Sequence, residues 1–303
     1  MPLSRFRPQR EPLVPPGGID HHVADLTVTA SADVTLDTLQ GRLGERDQWL
    51  PIDGSPQQTL GALIDSNSSG PLRLGFGAWR DLLLGMQFRI KSGRLISAGG
   101  RTMKNVAGYD LTKFMVGQRG VFGSIVTVTM RTWKRPSSAL IARFEPSDQL
   151  IGPLLPTSSR PQWAMLAEGS LFCGYLGDEK TIEFYESDVP RLKPLDVKRQ
   201  SLVQDIEFRA ARWLPERSAV RFRASVPPSG VVRFAKNIGL TDLAADAAFG
   251  IAVGRCDESQ KSALCKAADD IGGSVVFDDE HPLSRYTGTE LELLRRIQSA
   301  FDA

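Results

Sequence analysis

Apolar and polar residues alternate at 25–30 (DLTVTA), the two-residue period of a half-buried strand. The spacing then lengthens. Over 34–44 (VTLDTLQGRLG), Val34, Leu36, Leu39 and Leu43 fall near one helical face, and Gly44 supplies a stop. Residues 49–56 (WLPIDGSP) carry two prolines and a glycine and read as a turn-rich connector. A second helix is expected over 59–66, where Leu60, Leu63 and Ile64 share a face behind the N-cap candidate Thr59. The Gly-rich stretch 70–77 precedes two strands, 82–90 and 93–98, joined by a hairpin at Lys91–Gly93. A short helix over 110–116, capped by Asp110 with Gly117 just past its end, leads into an apolar strand over 123–133 that closes at Pro136.

Beyond Pro136 the character changes. Strands are expected at 139–144, 163–167, 171–176, 219–226, 249–254 and 274–277, and helices at 200–213, 230–237, 258–271 and 289–301. The segment 153–161 holds three prolines and reads as a loop. Strand and helix interleave without the regular repeat of a parallel βαβ array, so the pattern predicts an α+β domain with an antiparallel sheet. The expected organisation is a loose, Pro- and Arg-rich lead-in at 1–20, a first domain at 21–136, a second at 137–288, and a C-terminal helix at 289–303 that returns to the first domain.

Length and charge narrow the function. A chain of 303 residues has room for two domains. Lys+Arg number 37 against 35 Asp+Glu, a net charge of +2 that is too balanced for a typical nucleic-acid binder. No apolar run reaches the ~18 residues of a membrane helix, and the N-terminus lacks the apolar core of a secretory signal. Cys173, Cys256 and Cys265 stand far apart without a CxxC, so no disulfide framework is expected and a cytoplasmic location follows. His21, His22 and His281 form no HxxxH or HExxH, and no metal site is expected.

Several enzyme signatures fail. GFGAWR at 75–80 puts Arg80 where a dinucleotide fingerprint needs its third glycine, and no P-loop or GxSxG elbow occurs. The acidic runs Asp269–Asp270 and Asp278–Glu280 read as solvated loops. No catalytic residue is assigned. What remains is glycine in three clusters: Thr59-Leu60-Gly61 at a helix start, Asn67 to Gly70 with Gly75 and Gly77, and Gly117, Gly120 and Gly123 before Ile125. A helix start offers N–H groups to a phosphate, and a glycine loop can lay its backbone edge against a flat ring. Each cluster taken alone is more often a set of turns than a ligand contact.

The order of these clusters is specific. LPID (50–53), TLGALIDSNSSGPLRLGFGAWRDLLLGM (59–86) and GGRTMKNVAGYDLTKFMVGQRGVFGSIVTVTMRTWKRP (99–136) resemble the FAD-binding PCMH-type (vanillyl-alcohol oxidase) family, and within it the glycolate oxidase FAD-binding subunits. The closing LLRRIQSAFDA resembles that family's last helix. The resemblance implies that Thr59, Leu60 and Gly61 lie at a flavin diphosphate, and that Asn67, Gly70, Gly75 and Gly77 line the cradle. It further implies that Gly117, Gly120, Gly123 and Ile125 face the adenine end, whereas Lys104, Asn105, Tyr109 and Asp110 are mainly structural. Ala62 replaces a second glycine, Phe76 a tyrosine, and Gln118-Arg119 the family's Ser-x. The Gly-rich pyrophosphate loop that opens the family's domain has no counterpart at 1–24, so the domain is expected to be truncated at its N-terminus by roughly a quarter and to hold FAD weakly or to have lost it.

The implied function is the FAD-binding subunit of a glycolate-oxidase-like 2-hydroxy acid dehydrogenase, with non-covalent FAD. Its implied partners are a larger flavoprotein subunit and an iron–sulfur subunit, through which it would meet the inner membrane. The alternative is a cofactor-free structural or interaction subunit that keeps the fold and has lost FAD.

Overall fold

The computed structural model describes residues 8–9, 11–101, 110–147, 152, 157–213, 220–239, 243–280 and 286–302. Lys104, Asn105 and Tyr109 lie outside them, as do His281 and residues 153–156 of the proline-rich 153–161. The chain divides into two compact units. The first takes the described residues of 1–69, 77–135 and 281–303, the second those of 70–76 and 136–280.

The first unit contains the strands β1 (Pro8–Gln9), β2 (Ile19–His22), β3 (Thr27–Ser31), β4 (Gln48–Trp49), β5 (Leu83–Arg89), β6 (Leu95–Gly99), β7 (Ser124–Arg131) and β8 (Trp133–Lys134). Six of them form a sheet in the order β1-β6-β5-β7-β3-β2, and β4 pairs with β8. Every pairing is antiparallel. The stretch expected to be a loose lead-in supplies one sheet edge, β1, with Pro8 and Gln9 opposite Ile96 and Leu95, and the first half of the other, β2. Pro8 is tolerated there because an edge strand need not donate on its outer side.

Helices α1 (Leu36–Gly44) and α2 (Leu60–Asp65) pack their apolar stripes into this unit's core, with Leu39, Leu43, Leu60, Leu63 and Ile64 fully buried. Two short helices, α3 (Trp79–Leu82) and α4 (Leu111–Phe114), follow. Asp110 caps α4 as read, its Oδ1 accepting from Lys113 N at 3.1 Å. The C-terminal helix Gly288–Asp302 places Phe301 among Phe88, Phe114 and Phe122. Gln87 supports the sheet from inside: its Oε1 accepts from Leu13 N and Thr127 Oγ1, and its Nε2 donates to Ser97 Oγ.

The second unit is an eight-stranded antiparallel sheet built from β9 (Ser138–Phe144), β10 (Trp163–Ala167), β11 (Ser170–Gly177), β12 (Asp196–Ser201), β13 (Val220–Ser225), β14 (Leu243–Asp246), β15 (Ile251–Cys256) and β16 (Ser274–Phe277). Their order is β12-β9-β11-β10-β14-β15-β13-β16. Helices α5 (Glu179–Asp188), α6 (Leu202–Trp213), α7 (Val231–Ile238) and α8 (Lys261–Asp269) accompany it, with one helical turn at Arg73–Phe76. Within α6, Asp205 and Arg209 form a buried ion pair at 3.0 Å, and Trp163 Nε1 donates to the same carboxylate at 2.9 Å. Among the described residues, no helix is long and apolar enough to cross a membrane, and no cluster of His, Cys, Asp and Glu could hold a metal ion.

Candidate functional site

The three glycine clusters divide between the units. Thr59–Asn67, Gly77 and the loop 117–123 belong to the first, whereas Gly70 and Gly75 belong to the second. In the second unit, Gly70 O accepts from Arg73 N, and Gly75 N donates to Leu72 O. A Cβ on Gly75 would stand 2.9 Å from Gln162 Cα.

In the first unit the start of α2 is built as the sequence suggests. Thr59 is the N-cap, its Oγ1 accepting from Ala62 N at 3.2 Å. The next amides are also used: Leu60 N donates to Val34 O and Gly61 N to Ala32 O, at 2.9 and 2.8 Å. Gly61 is needed because a Cβ would stand 3.1 Å from both Cβ and O of Ala32. The close approach at this glycine is therefore protein against protein.

The end of α2 meets the loop 117–123. Asn67 takes a left-handed conformation at φ 52° and donates its N–H back to Ile64 O. Gly117, at φ 80°, donates to the same carbonyl at 2.9 Å and lies against Asn67, whose Cβ would be 3.1 Å from a Cβ there. Arg119 N donates to Asp65 O, and Gly120 N to Asp65 Oδ1, both at 3.1 Å. Gln118 completes the join: its Nε2 donates to Asp65 Oδ1 and Gly123 O, while its Oε1 accepts from Phe122 N. Burial pushes the Asp65 carboxyl above its usual range, and the Gly120 amide, Gln118 and the Arg119 charge pull it back. Gly123 passes within 2.5 Å of Arg89 O, measured from where its Cβ would be, and Ile125 pairs with Phe88 in the sheet. Gly120 differs. It has φ 78°, and a Cβ there would meet nothing within 4 Å.

Gly77, at φ 88°, abuts Asp81, whose Oδ2 accepts from Ala78 N at 2.9 Å. Trp79 Nε1 donates to Ser68 O at 2.6 Å and ties the Asn67–Ser69 turn to α3. Two arginines near the clusters have partners elsewhere: Arg101 pairs with Asp20 at 3.0 Å, and Arg73 stacks over Phe249 at 4.4 Å. His21 hydrogen-bonds Gln48 and His22 pairs with Asp20, both at 2.9 Å. Cys173 is buried and its thiol is pushed up to about 12, which leaves it inert.

Sequence and fold each set the chain beside known proteins. No family model matches it. Glycolate oxidase subunit GlcE of Escherichia coli (strain K12) is 33% identical over 136 residues, 44% of this chain and 39% of that protein. Glycolate oxidase subunit GlcD of Bacillus subtilis is 33% identical over 129 residues, 41% of this chain and 27% of that one. The mitochondrial D-lactate dehydrogenase [cytochrome] of Arabidopsis thaliana is 29% identical over 121 residues, 40% of this chain and 21% of that one. The chain is related to the FAD-binding PCMH-type family. The match spans about two fifths of the GlcE length. Among solved structures, alkyldihydroxyacetonephosphate synthase superposes with a TM-score of 0.63 at 12% identity, covering 92% of this chain and 63% of that one. That likeness establishes the fold: a PCMH-type arrangement, mixed helix and strand with antiparallel sheets.

The family's cofactor, FAD, can be tested against the described donors. The amides of Leu60, Gly61, Ala62, Gly117, Arg119 and Gly120 each donate within the chain. A dinucleotide diphosphate needs several such N–H groups at once. These six amides are used inside the protein and are not available to a diphosphate. Sequence reasoning assigned the glycines a ligand and overlooked Asp65, whose only signal was an acid at the end of the apolar run LGALID beside a glycine loop.

Proposed function

We propose that the chain is a subunit of a glycolate-oxidase-like 2-hydroxy acid dehydrogenase complex, working beside a larger flavoprotein subunit and an iron–sulfur subunit. The observation that supports this most is the likeness to glycolate oxidase subunit GlcE, 33% identical over 136 residues. In this reading the complex oxidises a small 2-hydroxy acid to the 2-oxo acid and passes electrons through iron–sulfur centres to a quinone. The oxidation itself belongs to the flavoprotein partner. The chain is cytoplasmic and reaches the inner membrane only through its partners. Its own FAD, where carried, is non-covalent and weakly held.

The internally paired amides favour a second reading, in which the chain is a cofactor-free interaction subunit. One experiment separates the two. The tagged chain is co-expressed with the two other subunits from the same genome, and the purified complex is assayed for glycolate- and D-lactate-dependent dye reduction and for bound flavin. Co-purification, with dye reduction that disappears when this chain is omitted, supports the subunit assignment. Full activity without the chain overturns it. A second flavin per complex supports an FAD site here, whereas a single flavin supports the cofactor-free reading.

A further inference from the structure

The core of the second unit is not closed everywhere. Where the β10–β11 hairpin turns at Glu168–Gly169, a cavity of about 420 Å³ opens between the sheet and α7. Leu166 and Ala167 of β10 and Leu243 of β14 line it from the sheet, and Val232 and Ala235 line it from the helix. The space follows from residue size. Ala235 presents only a methyl group, and a Cβ on either of the lining glycines, Gly169 and Gly239, would meet nothing within 4 Å. Protein interiors are close-packed, so apolar walls left apart like these forgo contacts that a ligand can restore. The volume lies within the range of about 300–1,000 Å³ typical of small-molecule sites.

The two charged residues of the lining select among ligands. Glu168 pairs with Arg212 at 3.1 Å, so its charge is already answered. Lys236 is exposed and forms no ion pair among the described residues. The cavity therefore carries one unanswered positive charge beside apolar walls. A monoanion with an apolar body suits both features. A cation would have to take Glu168 from Arg212, and a second negative charge would meet Glu168. We propose that this cavity binds a small monocarboxylate with an apolar tail, in class a medium-chain fatty acid, with the tail between α7 and the sheet and the carboxylate at Lys236. The site lies within the second unit and does not depend on the flavin reading. A lysine in the last turn of a helix also suits the helix dipole, so the decisive measurement is ligand binding rather than stability.

The test is isothermal titration calorimetry of the full-length chain with sodium octanoate, and with octanol as the same tail without the charge. The proteins are the wild type, Lys236→Gln and Ala235→Phe. The expected result is saturation of the wild type by one octanoate per chain, with the negative heat-capacity change of apolar burial. Lys236→Gln should weaken octanoate about fivefold and leave octanol unchanged, as loss of one exposed ion pair predicts. Ala235→Phe should abolish binding of both, because the ring occupies the space. Circular dichroism checks the fold, and if Ala235→Phe melts early, the substitution at the exposed Lys236 decides. Three outcomes overturn the proposal: no saturable binding by the wild type, equal octanoate binding by all three proteins, or octanol bound as tightly as octanoate.

Discussion

Asp246 lies at the turn between β14 and β15 with 1% of its surface exposed. Its Oδ1 accepts from Ala248 N at 3.0 Å and Phe249 N at 3.2 Å, so it shapes the turn. Burial pushes the carboxyl up to about 7, against the pull of those two amides and of Arg73 and Arg223. An acid whose folded pKa is raised binds more protons in the native state than in the unfolded one. Stability therefore falls as pH rises from the ordinary carboxylate value to about 7, by on the order of 4 kcal/mol if the whole shift is realised. Asp246→Asn keeps an acceptor for both amides and removes the titration. Urea midpoints measured across that pH range should fall less steeply in the variant, and parallel curves would refute the assignment. The same distinction limits what single letters reveal about the site. Gly61, Gly117 and Gly123 were legible as positions that must be glycine, because a tight approach or a positive φ demands it. What approaches was not legible: a glycine facing Ala32, Asn67 or Arg89 looks the same in sequence as one facing a diphosphate.

At the scale of elements, periodicity worked where one face of an element is buried and the other wet. The helices at α1, α2, α6 and α7 and the strands β3, β5, β6, β7 and β9 lie within a few residues of their expected bounds. It failed where that contrast is missing. Strand β12 (DVKRQS) is an outer strand of its sheet with no buried residue, so it carries no apolar alternation. Helix α5 (EKTIEFYESD) buries only Ile182 and Tyr185, and its clearest signal was the Asp178 cap, whose Oδ1 accepts from Thr181 N. Strand β14 (LAAD) buries three consecutive residues, so it shows no alternation. Cross-strand complementarity was equally hidden. Trp163 on β10 lies opposite Gly174 on β11, and a Cβ at Gly174 would fall within 2.0 Å of the indole ring. The glycine makes room for the ring, whose Nε1 then reaches Asp205. Gly174→Ala should cost about 3 kcal/mol, near the top of the overpacking range, because the ring is fully enclosed. Chemical denaturation of the variant checks this, and an unchanged midpoint would mean that the strand pair yields more easily than the geometry suggests.

At the scale of the whole molecule the described residues form two separate cores. One is built from Val28, Leu39, Leu60, Trp79, Phe88 and their neighbours, the other from Tyr175, Ile182, Phe222, Phe234 and theirs. The C-terminal helix contributes to the first through Phe301, which is 6% exposed and lies 5.5 to 6.2 Å, centroid to centroid, from three phenylalanine rings. Gln298 Nε2 adds a hydrogen bond to Val121 O at 3.2 Å. The rings that receive this helix come from 88, 114 and 122, far from it in sequence. Phe301→Ala should therefore destabilise the first unit by about 3–4 kcal/mol, the usual cost of emptying a buried aromatic site. Native-state hydrogen exchange locates the effect. Protection should drop across β5 and β7, which enclose Phe88 and its neighbours, while the amides of β9, β10 and β11 keep theirs, because Phe301 has no part in the second core. A uniform loss across both sheets would show instead that the two cores unfold as one cooperative body, and that the aromatic cluster supports more than the unit that contains it.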